Sequence, residues 1–361
     1  MSGGEGPRGE SLHVLVTGGA GFIGSHLVDQ LLERPGMRVT VLDKLTYAGD
    51  LSNLEAHRDD PRFGFVRGDV ADPAAVAPLV VAADRVVHAA AESFVDRSID
   101  DASAFVRSNV VGTHVVLEAC RRADRPVLHV STDEVYGSVR EGVFTEDDPP
   151  RPNSPYAATK AGADLLCRSY SVTYGLPVTV VRGTNAFGPR QHAEKAIPTF
   201  VLAALEGRPL PVYGDGSNRR QWLHVRDFAR GVLAALDRGE PGGVYNIGGG
   251  HEIANVDLAR RVCELTGASR SLMTFVPDRP GHDFRYGLAW DRLRALEWEP
   301  EVSFDDGLAE TVAWYRDRLS AGVARGSRGA AAPRSEAERT GPLRSPWPNR
   351  AAEGGSERIP R

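Results

Sequence analysis

Apolar residues recur in short bursts along the first half of the chain, separated by longer amphipathic or buried stretches. HVLVTG at 13–18, RVTVLD at 38–43, FGFVRGD at 63–69, RVVHAAA at 85–91 and PVLHVST at 126–132 are short, rich in β-branched residues, and read as strands. Helical patterns run from residue 22 to about 33 and from about 102 to 122. Strand and helix in alternation predict an α/β fold, a parallel sheet doubly wound by helices in the Rossmann-like manner. Ligands of such sheets bind beyond the carboxyl ends of the strands. Residues 17–24, Asp43, Asp69, 89–93 and 131–134 all fall at those ends and should share one rim.

Beyond about residue 185 the rhythm breaks into shorter elements punctuated by Gly and Pro. The expectation is a Rossmann-like domain over 12–185 and a smaller, mainly substrate-binding domain over 186–320, with some segments free to return to the first. Residues 1–11 and 321–361 lack apolar periodicity and are expected to be disordered.

With 361 residues, 41% of them apolar, the chain can bury a sizeable core, and its net charge of −5 supplies no basic field for nucleic acid or anionic membrane. No apolar run reaches membrane-spanning length and MSGGEGPRGE has no signal-peptide core, so a cytoplasmic protein is expected. Cys120, Cys167 and Cys263 are scattered without a CxxC pair and read as buried reduced thiols; no metal site is expected. Of the 43 Lys and Arg residues only Lys44, Lys160 and Lys195 are lysine, and each lies in a motif described below. A residue so sparingly used marks places where a planar, permanently charged guanidinium would not serve.

TGGAGFIG sets Gly18, Gly21 and Gly24 directly after a strand and at the opening of a helix. Missing side chains let the backbone approach a pyrophosphate, and the helix N-terminus offers free N–H groups. Asp43, ending the second strand, can accept both ribose hydroxyls of an adenosine and would repel a 2′-phosphate, which favours NAD over NADP. The expected cofactor contacts extend to Phe22, Ile23, Lys44, Thr46, Gly49, Asp69, Val70, Ala89 and Ala91. In SPYAATK, Tyr156 and Lys160 stand four apart on one helix face. An ammonium there would favour the phenolate, fitting Tyr156 to take a proton from an alcohol while hydride leaves for a nicotinamide, and Lys160 should also reach the nicotinamide ribose.

TGGAGFIG, the Tyr156 and Lys160 pair and Thr132 at a strand end resemble the extended short-chain dehydrogenase/reductase family, most of whose members act on nucleotide sugars. VLDKLTYAG, AAESFVDRSI, STDEVYG, SPYAATKAG, EKAIP, RQWLHVRD and DRPGHDFRY are similar to its nucleotide-sugar 4,6-dehydratases, from residue 13 to about 315. The resemblance implies NAD-dependent C4 oxidation, with Thr132 on the C4 oxygen. Glu134 would then take the C5 proton and Asp133 protonate the departing C6 hydroxyl, before hydride returns to C6. The product would be a 4-keto-6-deoxy sugar nucleotide, with dTDP-glucose the expected substrate. Asp133 can be an acid near neutral pH only if burial and Glu134 raise its pKa.

Arg220 and Arg279 are candidates for the diphosphate, since guanidinium forks match phosphate oxygens. The resemblance adds Ser93, Asn185, Glu194 and Lys195 along the sugar and Asn255 and His282 near the nucleoside. It also implies a homodimer joined through helices around 102–122 and 155–174 as a four-helix bundle. The chain departs from the family pattern at Phe94, usually His, and at Asn185, Ala186, Phe187 and Gly188, usually Asn-Asn-Tyr-Gly. A 4-epimerase of the same family and a non-catalytic dinucleotide sensor are the alternatives.

Overall fold

The computed structural model describes residues 12–249 and 251–322. The expected disordered segments 1–11 and 323–361 lie outside the described residues, and Ala321 and Gly322 form a turn.

The apolar bursts become strands β1 (Leu12–Thr17), β2 (Met37–Asp43), β3 (Phe63–Arg67), β4 (Arg85–His88), β5 (Val127–Thr132) and β6 (Val178–Gly183). Shorter strands follow: β7 (Asn185–Phe187), β8 (Leu210–Tyr213), β9 (Arg219–His224), β10 (Val244–Ile247), β11 (His251–Ala254) and β12 (Met273–Val276). Across the large sheet the order is β3-β2-β1-β4-β5-β6-β10, every pair parallel. The order reverses direction between β1 and β4, which opens a crevice at their carboxyl ends. β10 joins this sheet from far along the chain, after β7, β8 and β9 have entered a second lobe.

Helices Phe22–Leu32 and Val225–Arg238 cover one face of the large sheet, burying Leu27, Leu31, Phe228 and Val232 against Val14, Val16 and Val181. Helices Pro73–Ala82, Gly112–Ala123 and Pro155–Tyr174 cover the other through Val76, Val116, Cys120 and Cys167. All three cysteines are free and buried. The second lobe packs helices Ala196–Leu205, Asn255–Thr266 and Phe304–Ser320 around Phe187 and Trp222, beside the small β11-β9-β7 sheet and the β12-β8 pair. Among the described residues no helix is long and apolar enough to cross a membrane.

Local chemistry explains the longest helix. Ser154 caps it by accepting from Ala157 N–H, Pro155 occupies its first position, and Gly175 ends it in the left-handed region at φ 67°. The helical pattern expected over 102–122 is not one regular helix. A short α segment, Ser103–Phe105, passes into a π-helical turn at Val106–Val111 before α-helix resumes at Gly112. Asn109, inside that turn, is the physical reason: its buried amide accepts from Glu92 N–H at 2.9 Å and donates to Glu92 C=O at 3.0 Å and to Thr159 Oγ1 at 2.9 Å. The widened turn aims a side chain inward at the strand-end rim, where a regular helix would rotate it away.

Candidate active site

The cofactor cradle is built from close approaches. A Cβ on Gly24 would lie 2.1 Å from Gly18 O, and one on Gly18 would lie 2.7 Å from the Ala90 backbone. Gly18 itself has φ 72°. The helix beginning at Phe22 has no side-chain cap at Gly21, so its first N–H groups are left for an anion. Asp43 is buried at the end of β2, its Oδ2 accepting from Ala20 N–H at 3.0 Å and its Oδ1 from Leu45 N–H at 2.8 Å. Burial raises its pKa, with the two N–H groups pulling the other way. Gly49 lies against it: a Cβ there would sit 2.9 Å from Asp43 Oδ1.

Asp69 accepts from Lys44 Nζ at 2.9 Å, Arg107 at 3.2 Å and Ala71 N–H at 2.9 Å. Phe22, Ile23 and Ala89 are half-buried on the rim, Val70 is buried, and Thr46 and Ala91 are exposed. An uncapped helix start, side-chain-free close approaches and a strand-end carboxylate together fit a dinucleotide.

Thr132, Asp133 and Glu134 stand where β5 ends. Thr132 Oγ1 donates to Asp133 Oδ1 at 3.2 Å and accepts from Glu134 N–H at 3.3 Å, and its hydroxyl partly offsets the rise of the nearby Tyr156 phenol. Burial first, and the neighbouring Glu134 charge second, push the Asp133 carboxyl up to about 7. Burial also raises Glu134, opposed by Arg279, Lys195 and Arg220. The pair therefore sits in unlike surroundings: Asp133 is sealed at 2% exposure, while Glu134 is half-buried and faces three cations.

The expected effect of Lys160 on Tyr156 needs correction. Lys160 Nζ donates to Val130 C=O at 2.7 Å and lies 3.3 Å from His129 Nε2. The Tyr156 phenol is pushed well up, by burial and then by Glu134. Helical spacing put both residues on one face, but the buried carbonyl and imidazole captured the ammonium. Beneath it His129 lies 3.8 Å from Asp164, which holds Arg182 Nε at 2.8 Å. Sequence reading missed this buried chain because its members come from β5, β6 and a helix, without a common motif.

The second lobe brings the remaining candidates to the same rim. Lys195 donates to Ser93 C=O at 2.5 Å, with its ammonium 5.8 Å above the Phe94 ring. The Glu194 carboxylate is buried 3.2 Å from Arg97, and neither oxygen has a well-aligned donor. Asn185 Oδ1 is likewise buried and unpartnered. Arg220 lies 4.5 Å over the Tyr286 ring and donates to the carbonyls of Arg219, Asp283 and Phe284. Arg279 pairs with Asp96 at 2.8 Å, and its buried Nε has no partner. His282 is 2.6 Å from Asp278 Oδ1, and Asn255, half-buried, starts the helix that follows β11. Tyr47, stacked 3.8 Å under Arg97, and Tyr286 with Asp283 also reach the rim. Both tyrosines lie in segments already marked by the sequence, LTYAG and DRPGHDFRY, whose other residues drew attention first.

The chain matches the GDP-mannose 4,6 dehydratase family over residues 15–311. It is 51% identical to a dTDP-glucose 4,6-dehydratase of Actinoplanes sp., covering 86% of this chain and 99% of that protein. The crystal structure of DesIV, a dTDP-glucose 4,6-dehydratase from Streptomyces venezuelae solved with NAD bound, superposes with a TM-score of 0.84 at 50% identity over 86% of this chain and 98% of that one. A UDP-glucose 4-epimerase from Thermus thermophilus, also with NAD, reaches 0.78 at 35% identity, covering 84% and 99%. The chain belongs to the NAD-dependent, short-chain-dehydrogenase-like family of nucleotide-sugar epimerases and dehydratases, in its dTDP-glucose 4,6-dehydratase group.

Proposed function

We propose that this protein dehydrates dTDP-glucose to the 4-keto-6-deoxy sugar nucleotide. The observation that carries the reading is the Asp133–Glu134 pair, differently buried, both bonded to Thr132 and both acting on the charge of the neighbouring Tyr156. An epimerase needs only oxidation and reduction at C4 and has no task for two further carboxyls.

Bound NAD supplies the hydride acceptor at C4 and the hydride returned at C6. Tyr156 must be the phenolate to act as base, a form that the positive nicotinamide of bound oxidised NAD would favour; as such it receives the proton of the C4 hydroxyl, and Thr132 holds the C4 oxygen. Glu134 removes the C5 proton, made acidic by the adjacent ketone, and Asp133 gives its proton to the C6 hydroxyl, which leaves as water. Glu134 then returns its proton to C5. Tyr156 ends with one proton gained and Asp133 with one lost, so return of one proton from Tyr156 to Asp133, on whose Oδ1 the Thr132 hydroxyl donates, resets both. Arg220 and Arg279 neutralise the diphosphate; Ser93, Asn185, Glu194 and Lys195 line the sugar; Asn255 and His282 lie toward the base.

The working unit is a homodimer in the cytoplasm. Leu165, Val172 and Tyr174 on one helix are 57%, 71% and 57% exposed, and Val106 and Val111 on the neighbouring segment are 46% and 42% exposed. That apolar surface suits a four-helix bundle with a second copy.

The test is incubation of the purified protein and NAD with dTDP-, UDP- and GDP-hexoses, followed by mass spectrometry. Loss of one water from dTDP-glucose is expected. Epimerisation without mass loss, or dehydration of another nucleotide sugar alone, would refute the reading.

A further inference from the structure

The Tyr286 hydroxyl lies 2.7 Å from Asp283 Oδ2 and 3.5 Å from Glu134 Oε2. Asp283 is anchored on its other oxygen by Asn153 Nδ2 at 2.6 Å. Tyr286 and Asp283 are 2% and 4% exposed, so water does not complete either group's bonding. A phenol has one proton, and the shorter contact claims it. With that proton directed at Asp283, what Tyr286 turns toward Glu134 is an oxygen lone pair.

We propose that Tyr286, oriented by Asp283, is a positioning residue that strengthens Glu134 as the C5 base. The inference rests on the reading of Glu134 as that base. An ionised Glu134 gains little from a lone pair beside it. Once Glu134 has taken the C5 proton it can donate to Tyr286, which already donates to Asp283, in a chain of one direction. The arrangement favours the protonated product of the abstraction step and so raises the driving force for it. Tyr286 keeps its own proton throughout; the only proton that moves is the one from C5 to Glu134. The chain also ties the base to the diphosphate clamp, because Arg220 lies over the Tyr286 ring and donates to the main-chain carbonyl of Asp283.

Tyr286→Phe deletes the lone pair and keeps the ring beneath Arg220, so the fold and the clamp are retained. In a single turnover of the NAD-loaded enzyme with dTDP-glucose, this variant should oxidise C4 at the wild-type rate. It should eliminate water roughly three- to tenfold more slowly, the worth of a hydrogen bond between neutral groups. Reduced nicotinamide, followed by its near-ultraviolet absorbance, should then accumulate transiently. Exchange of the C5 hydrogen with deuterated solvent should slow by the same factor. Asp283→Asn, which removes the charge that orients the phenol while leaving the backbone carbonyl, should show the same partition. Unchanged elimination in Tyr286→Phe, or equal slowing of oxidation and elimination without accumulation, would overturn the proposal. Glu134→Gln separates the two ideas: full elimination by that variant overturns the base assignment and this proposal together. A Glu134→Gln enzyme that oxidises but does not eliminate, beside an unimpaired Tyr286→Phe, overturns this proposal alone.

Discussion

Lys160 turns its ammonium onto the carbonyl oxygen of Val130, 2.7 Å away, on the strand that ends at Thr132. Burial, partly offset by Asp164, lowers this ammonium to about 8. Lys160 is expected to hold the nicotinamide ribose, and one carbonyl and one imidazole nitrogen cannot satisfy a guanidinium fork, so both Lys160→Met and Lys160→Arg should lose roughly 100-fold or more in turnover. Between about pH 8 and 10.5 the unfolded chain holds this proton and the native one does not, so the group's contribution to stability rises with pH there. Lys160→Met should therefore be most stable relative to wild type below pH 8 and lose that advantage toward 10.5. Denaturant titrations at pH 7 and pH 10 check the sign.

Asp133 carries the opposite signature. Its native carboxyl titrates near 7 against an ordinary 3.8, so as pH rises the unfolded chain loses the proton first and native stability falls between those values. Asp133→Asn should match wild type near pH 4 and exceed it at pH 8 by on the order of 3 kcal/mol. The same variant should lose the elimination step, and wild-type kcat/KM should decline above about pH 7 as the acid ionises.

The glycine cradle leaves no room for a methyl group. Gly24→Ala would place its Cβ 2.1 Å from Gly18 O and 2.8 Å from the Gly19 Cα, both backbone atoms. The loop must shift, at about 2–4 kcal/mol, and NAD retention should be lost. Thermal unfolding with and without NAD measures both effects.

Asp43 holds two backbone N–H groups while facing the expected ribose. Asp43→Ala should weaken NAD binding about tenfold or more and narrow the discrimination against NADP. Calorimetric titration with each dinucleotide distinguishes these losses from simple unfolding.

The exposed stripe on helix Pro155–Tyr174 makes the dimer testable. Leu165→Glu with Val172→Glu, at positions 57% and 71% exposed, should yield monomers in sedimentation without lowering helix content. A wild-type protein that sediments as a monomer at micromolar concentration would refute the dimer.

Much of this molecule was legible before its structure. Strand positions, the glycine turn and the helix from Pro155 to Tyr174 follow from local causes: short β-branched apolar runs, missing side chains, and a Ser-Pro start with a Gly stop. The carboxyl pair was legible too, because two adjacent acids at the end of a buried strand have few structural excuses. Other features depended on partners far away in the chain. The π turn at Val106–Val111 answers to Glu92 and Thr159. Lys160 chose Val130 and His129 over its helical neighbour, and Tyr286 meets Glu134 across 152 positions of sequence.

The sequence by itself determined which residues stand at the strand ends of the large sheet, since short apolar runs and turn chemistry place those ends without reference to the rest of the chain. Only the tertiary structure decided where those side chains aim and how they titrate. Direction and pKa are set by burial and by the donors, acceptors and charges that packing brings within a few ångströms, and no local pattern encodes them.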